Sequence, residues 1–349
     1  MYAELLEGAY RQVMAAHKLA VDKDGEILWI SKECFSNGCA ATVDVTYPPA
    51  PIFMLYNTEL LKGMLCPIFK YAESDKWEFD FAPHDVGTYP LVNGQTYYEN
   101  KIEYQMPIEE CGNMLILASA VALLDKNTDF VAKHSECLYK WAEYLCKCGF
   151  DPQNQLCTDD FSGHLAHNCN LSLKAICALK AFSRVCNMLN DKENAKKYAD
   201  KADNMAESWA VEAKNADGTT KLAFDQDGTY SMKYNLIWDK VFGLNLFDNA
   251  IAQKECKTYL EKSEKYGVPL DNRAKYTKSD WLVWCAALKD TKEGFEKAVK
   301  PLWDFYNESP SRVPMTDWYN ADEGTQKGFQ NRTVQGGLWI KLLMSENKF

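Results

Sequence analysis

The sequence predicts an all-α protein, an (α/α)6 barrel forming a single domain over residues 1–349. Three observations predict it. Segments with one apolar stripe alternate with segments that are apolar nearly all round, the patterns of outer and fully buried helices. Tight turns alternate with long polar loops. Each long loop also precedes an all-round apolar segment, so an inner ring of helices would gather the loops at one end.

Taken in order, Ala3 to Ala20 carries Leu6, Tyr10, Val13 and His17 at helical spacing. Val21 to Ile30 reads as a hairpin turning at Lys23-Asp24-Gly25. After the polar loop Ser31–Tyr47, a short apolar helix runs from Pro48 to Tyr56, and Asn57 or Thr58 caps the next, to about Glu73. Beyond the long loop Trp77–Met106, Pro107 opens a helix whose first turn is polar through Glu109, Glu110 and Asn113 and whose remainder, Met114 to Leu124, is apolar nearly all round. Its neighbour, Asp129 to Cys148, is one-sided through Phe130, Leu138, Trp141 and Leu145. The alternation then repeats: Leu171–Leu189 with Asp191–Lys214, Asn235–Leu246 with Ala250–Tyr266, and a helix from Ser279 with Thr291–Asn307. A last helix ends near Met344.

Composition narrows the partners. A net charge of −10 argues against nucleic acid or an anionic membrane, and no apolar run is expected to approach a membrane span. Hydrophobic content of 47% with 25% charge excludes a disordered chain. Met1 leads into the first helix without a basic-then-apolar leader. The chain as it stands is therefore expected in the cytoplasm, or secreted if a signal upstream has been removed. The 13 cysteines are odd in number and include no CxxC pair, so they read as reduced core residues. No cofactor and no metal are expected.

The densest polar stretch is Cys157-Thr158-Asp159-Asp160-Phe161-Ser162-Gly163-His164-Leu165-Ala166-His167-Asn168-Cys169-Asn170, directly before an apolar helix. Such groups are costly to bury unless paired, and a helix N-terminus favours anions. Five other loops carry comparable residues.

Several runs also resemble the glutaminase A family. They include Thr42-Val43-Asp44-Val45-Thr46-Tyr47-Pro48, His84-Asp85-Val86-Gly87-Thr88-Tyr89-Pro90, Met106-Pro107-Ile108-Glu109-Glu110-Cys111-Gly112-Asn113-Met114, Cys157-Thr158-Asp159-Asp160-Phe161 and Tyr276-Thr277-Lys278-Ser279-Asp280-Trp281. The resemblance covers nearly the whole chain, through Val313-Pro314-Met315-Thr316-Asp317-Trp318-Tyr319. It implies a six-hairpin glycosidase-like toroid and hydrolysis of the side-chain amide of L-glutamine. Family members carry a large β-rich region upstream, so the resemblance also implies that this chain is the C-terminal part of a longer protein. That region would be its partner.

The site residues are assigned from chemistry. Amide hydrolysis needs a nucleophile or activated water, an acid for departing ammonia and donors for the oxyanion. The only Ser-x-x-Lys is Ser345…Lys348 in the tail, and a cysteine nucleophile would need Cys111 or Cys157 beside His84 or His164. Glycoside hydrolysis needs two carboxyl groups flanking the bond. Asp160 is the expected acid or base with Glu110 opposite, and Asp159 is a third catalytic candidate, because adjacent carboxylates raise one another's pKa. Asp44, His84, Asp85, His164, Asn168, Asp280, Trp281, Asp317 and Trp318 are expected to bind substrate, the two tryptophans as apolar platforms. The substrate is small and polar, glutamine or a sugar, and a cationic clamp for glutamine would come from Arg273, Lys278 or Arg332. His164 and His167, three apart, could share a face with Asp160 as metal ligands, but they lack an HxxxH-type pattern. The alternatives are a glycoside hydrolase and a non-catalytic, carbohydrate-binding or structural half of a longer protein.

Overall fold

The computed structural model describes residues 1–95 and 100–349. Residues 96–99 of the predicted loop Trp77–Met106 lie outside the described residues. Two concentric rings of helices make up the fold. The outer ring takes α1 (Tyr2–Ala15), α4 (Thr58–Ala72), α7 (Ser135–Cys148), α9 (Lys192–Glu212), α11 (Asn249–Glu261) and α13 (Lys292–Glu308). The inner ring takes α3 (Ala50–Tyr56), α5 (Pro107–Asp125), α8 (Cys169–Met188), α10 (Ile237–Phe242) and α12 (Ser279–Ala287). Its last member is a 3-10 segment, Thr333–Trp339, continuing as α14 (Ile340–Ser345). Each inner member packs on the next, and α3 packs on the Thr333–Trp339 segment, which closes the ring. Two shorter helices, α2 (Val43–Thr46) and α6 (Asp129–Lys133), sit before α3 and α7.

Burial follows the predicted alternation. In α5 every residue from Pro107 to Ala122 is buried, whereas α7 buries only Cys137, Leu138, Trp141, Ala142 and Leu145. By length and composition α5 could cross a membrane, contrary to the sequence expectation; 89% of its apolar window is buried inside the protein, so its apolarity belongs to the core. The ring centre is aromatic: Tyr47 packs against Trp238, Trp281 and Trp284, with centroids 5.7, 6.3 and 5.3 Å away.

Several boundaries differ from expectation. The first helix stops at Ala15, because His17–Val21 forms β1 and pairs antiparallel with β2 (Ile27–Ser31). This hairpin lies against α4, where a side chain on Gly63 would come within 3.0 Å of Trp29 N. The predicted helix Asp129–Cys148 breaks at His134, whose ring bonds Glu73 at 2.6 Å and stacks on Phe69. The helix expected over Asn235–Leu246 shortens to α10, ended by Gly243 in the left-handed region, and that over Ala250–Tyr266 ends at Glu261. Strands β3 (Tyr276–Lys278), β4 (Trp318–Asn320) and β5 (Gln326–Gly328) form a small antiparallel sheet inside what reads as loop. Three-residue strands are too short to show a period of two.

Candidate active site

The inner helices all begin at one end of the barrel, and the polar loops converge there. Asp44 comes from α2, just ahead of α3, and Glu109 and Glu110 from the first turn of α5. Asp159 and Asp160 precede α8, Asp280 lies in the first turn of α12, and Arg332 precedes the final inner segment. The carboxylates thus meet the positive ends of several helix dipoles.

On one side of this mouth lies a buried group of Asp44, His84 and Glu110, whose ligand-capable atoms all fall within 4.8 Å of one another. Its histidine is oriented from behind. Asp85 accepts from His84 Nδ1 at 2.8 Å and, with its other oxygen, from the Gly87 backbone N–H at 2.7 Å. That loop needs glycine at 87: φ is +105°, and a Cβ there would clash with the Gly94 carbonyl oxygen. His84 Nε2 points to Asp44 Oδ1 at 3.6 Å. Burial alone would lower the His84 pKa, but the Asp85 hydrogen bond and the charges of Asp44, Asp85 and Glu110 lift it to about 10. Burial raises Asp44 to about 7, opposed by His84 and reinforced by Glu33, Asp160 and Glu109. Burial likewise pushes Glu110 well above the usual carboxylate range, with Asp44 adding to it. Behind Glu110, the fully buried Lys174 of α8 bonds Glu109 and, at 2.7 Å, Asn113 Oδ1. Asn113 donates onward to both Glu109 and Glu110. The Lys174 ammonium also stands 4.1 Å over the Tyr47 ring.

Across the mouth, Asp159 turns inward. It accepts from Tyr234 OH at 2.9 Å and Trp281 Nε1 at 3.0 Å. Burial raises its pKa to about 6, with Lys278, Tyr234 and Trp281 opposing. Next to it, Asp317 pairs with Lys278 at 3.0 Å and Arg332 at 2.8 Å, and Arg332 reaches Glu33 at 3.3 Å. Asp280 is fully buried, and neither of its oxygens has a hydrogen-bond partner; Lys278 Nζ is 3.7 Å away. Burial raises it to about 7 against the pull of Lys278.

The mouth therefore gathers Asp44, His84, Asp85, Glu110, Asp159, Asp160, Asp280 and Asp317. Of the adjacent pair, Asp159 is the buried one, and Asp160 stays half-buried on a turn at the rim. Its charge is one of those that raise Asp44, and Thr158 donates to the Asp44 carbonyl at 3.4 Å, so the turn lies against α2.

Other expected residues are committed elsewhere. Asn168 is the N-cap of α8, accepting from Asn170 N at 3.0 Å and Leu171 N at 3.1 Å. His164 is exposed and bonds the Glu103 carbonyl, and His167 bonds Asp151 at 2.7 Å, so the two histidines do not converge. Trp281 is wholly buried and stacked on Tyr234 at 3.9 Å, which makes it core and not a platform. Trp318 remains half-buried at the rim beside Phe161, Tyr276 and Phe329. Burial pushes the Cys111 and Cys157 thiols well up, which opposes a thiolate nucleophile. Lys278 and Arg332 are buried in ion pairs. Arg273 is exposed, held by Asp271 and donating to the Ser162 carbonyl at 3.2 Å, so of the three clamp candidates it stands nearest the Asp160 turn from outside. Sequence reasoning missed Lys174, Asn113, Tyr234 and Glu33. Lys174 did leave a signal: it is the one charged residue in the first half of an inner helix, between Leu171 and Leu179. A cavity of about 1010 Å³ lined by α1, Tyr56 at the end of α3, Trp339 and Leu342 includes none of the residues gathered at the mouth.

Closed rings of hairpins with this mouth define the class, a six-hairpin glycosidase-like barrel. Solved structures share the fold at low identity. A glucoamylase from Saccharomycopsis fibuligera superposes with a TM-score of 0.63 at 10% identity, covering 99% of this chain and 95% of that one. A D-mannose isomerase gives 0.62 at 11%, covering 99% and 97%. Residues 1–342 match the glutaminase A six helical-hairpin domain, and the chain belongs to that family. Glutaminase A of Aspergillus oryzae is 35% identical over 98% of this chain and 50% of its own length. A probable glutaminase of Arthroderma benhamiae is 27% identical over 99% and 50%. The chain thus spans about half the length of these curated relatives.

Proposed function

We propose that this chain is a hydrolase that cleaves the side-chain amide of L-glutamine to glutamate and ammonia at the barrel mouth. The substrate comes from the names of its relatives; the chemistry rests on one observation. A half-buried carboxylate, Asp160, stands at the rim facing the buried Asp44–His84–Glu110 group. Amide hydrolysis needs a base for the attacking water and an acid for the departing ammonia. Asp160 supplies the first and the buried group opposite the second. Asp159 and Asp280, deeper in the mouth, shape its field, and Lys278 and Arg332 hold Asp317 in place.

Glycoside hydrolysis is the second reading, and the aromatic rim favours it. Phe161 and Trp318, with centroids 4.4 Å apart, lie beside Asp160 where a sugar ring could rest. A fold shared with glucoamylase and with an isomerase does not decide between the chemistries.

Ammonia release from L-glutamine by the purified chain, beside aryl-glycoside hydrolysis, separates them. The expected result is ammonia release that falls about 10²- to 10⁴-fold in Asp160→Asn. Glycoside turnover with no ammonia would transfer the proposal to sugars. Folded protein with neither activity would point to a non-catalytic half, or to a mouth completed by the part of the longer relatives that this chain does not span.

A further inference from the structure

We propose that Asp44, His84 and Glu110 bind one divalent first-row metal ion, of the Zn²⁺ or Mn²⁺ class. The donor set is one imidazole and two carboxylates from three separate elements, all buried and all within 4.8 Å of one another. A mixed nitrogen–oxygen set of this kind suits zinc or manganese better than calcium, which takes oxygen alone.

Two observations beyond the clustering point to a ligand. Asp44 Oδ1 and Glu110 Oε1 are buried without a hydrogen-bond partner, although buried polar atoms are nearly always satisfied. Both belong to the cluster. The histidine is also braced as metal-bound histidines are: Asp85 holds Nδ1, is itself fixed by the Gly87 N–H, and leaves Nε2 directed at Asp44.

Charge supports the same conclusion. Glu109 is matched by Lys174, and Asp85 is bonded to His84 and backbone. Asp44 and Glu110 share the charge of His84; a divalent ion taking Nε2 would release the ring proton to solvent and neutralise the two carboxyl groups in its place. Ligand atoms around zinc lie about 3.3 Å apart at bond lengths of about 2.0–2.1 Å. Rotation of the two acid side chains, each with a free oxygen, supplies that contraction. The sequence expectation of no metal rests on the spacing of His164 and His167, whereas the proposed site uses His84. His84 shares no sequence motif with Asp44 or Glu110.

Binding of the ion does not depend on the proposed function; only its use does. With an ion in place, this group would polarise the amide oxygen and Asp160 would carry the proton alone. The test is calorimetric titration of the EDTA-treated full chain with ZnCl₂ or MnCl₂, beside Glu110→Gln, Asp85→Asn and His167→Asn. The expected result is one ion per wild-type chain, weakened at least about 100-fold by Glu110→Gln and about 10- to 100-fold by Asp85→Asn, with His167→Asn unchanged. Absence of saturable binding, or wild-type affinity in Glu110→Gln, overturns the site. Should a variant fail to fold, pulsed EPR of Mn²⁺-loaded wild type decides: coupling to a histidine nitrogen supports the site, and its absence overturns it. A chain that binds the ion but releases no ammonia keeps the site and removes glutamine.

Discussion

Asp280 shows what burial does to a single carboxyl group. It has no hydrogen-bond partner and faces Lys278, Asp317 and Arg332. Lys278 and Arg332 already balance Asp317 and Glu33, so a charged Asp280 would be an excess anion in the core. Its folded pKa of about 7 lies above the ordinary 3.8. The proton therefore stabilises the fold fully below about pH 4, and that stabilisation is lost as pH rises through 7. The contribution is on the order of 4 kcal/mol. Asp280→Asn should flatten the fall in the urea midpoint between pH 5 and pH 8. An equally steep fall in the variant would show that Asp280 is ionised throughout.

At the scale of the element, the loops before the inner helices have two jobs that sequence alone does not separate. Asn168, expected to bind substrate, uses its side-chain oxygen to cap α8. Asn168→Ala should cost about 1 kcal/mol in a denaturant titration, the usual loss for a cap, with KM for the proposed glutamine substrate unchanged. A large rise in KM at wild-type stability would instead place its amide on the substrate. Asp159 and Asp160 show the same ambiguity. They are adjacent in sequence, and the turn at 160–162 sends one into the core and leaves the other at the rim.

The molecule as a whole is held by ring closure and an aromatic centre. Gln12 of α1 donates to the carbonyls of Met315 and Arg332, joining the two ends of the described chain. All 13 cysteines are unpaired, and burial raises most of their thiols, Cys111, Cys177 and Cys285 among them. A thiol reagent should react slowly with the native chain and should count 13 groups in guanidinium without reductant. The melting temperature should not change with dithiothreitol. A denatured count below 13 would reveal a disulfide.

The sequence by itself determined the ring of hairpins, because inner helices must be apolar all round and outer ones need a single stripe, and both periods are visible in one dimension. It also determined that the acids would meet at one end, since each long loop precedes an inner helix. The family runs agreed. The tertiary structure decided which acids are buried, which tryptophan is core, and that Asp44, His84 and Glu110 become neighbours across 66 residues of sequence. Burial and partnership set the charge and direction of a side chain, and both come from residues distant in the chain.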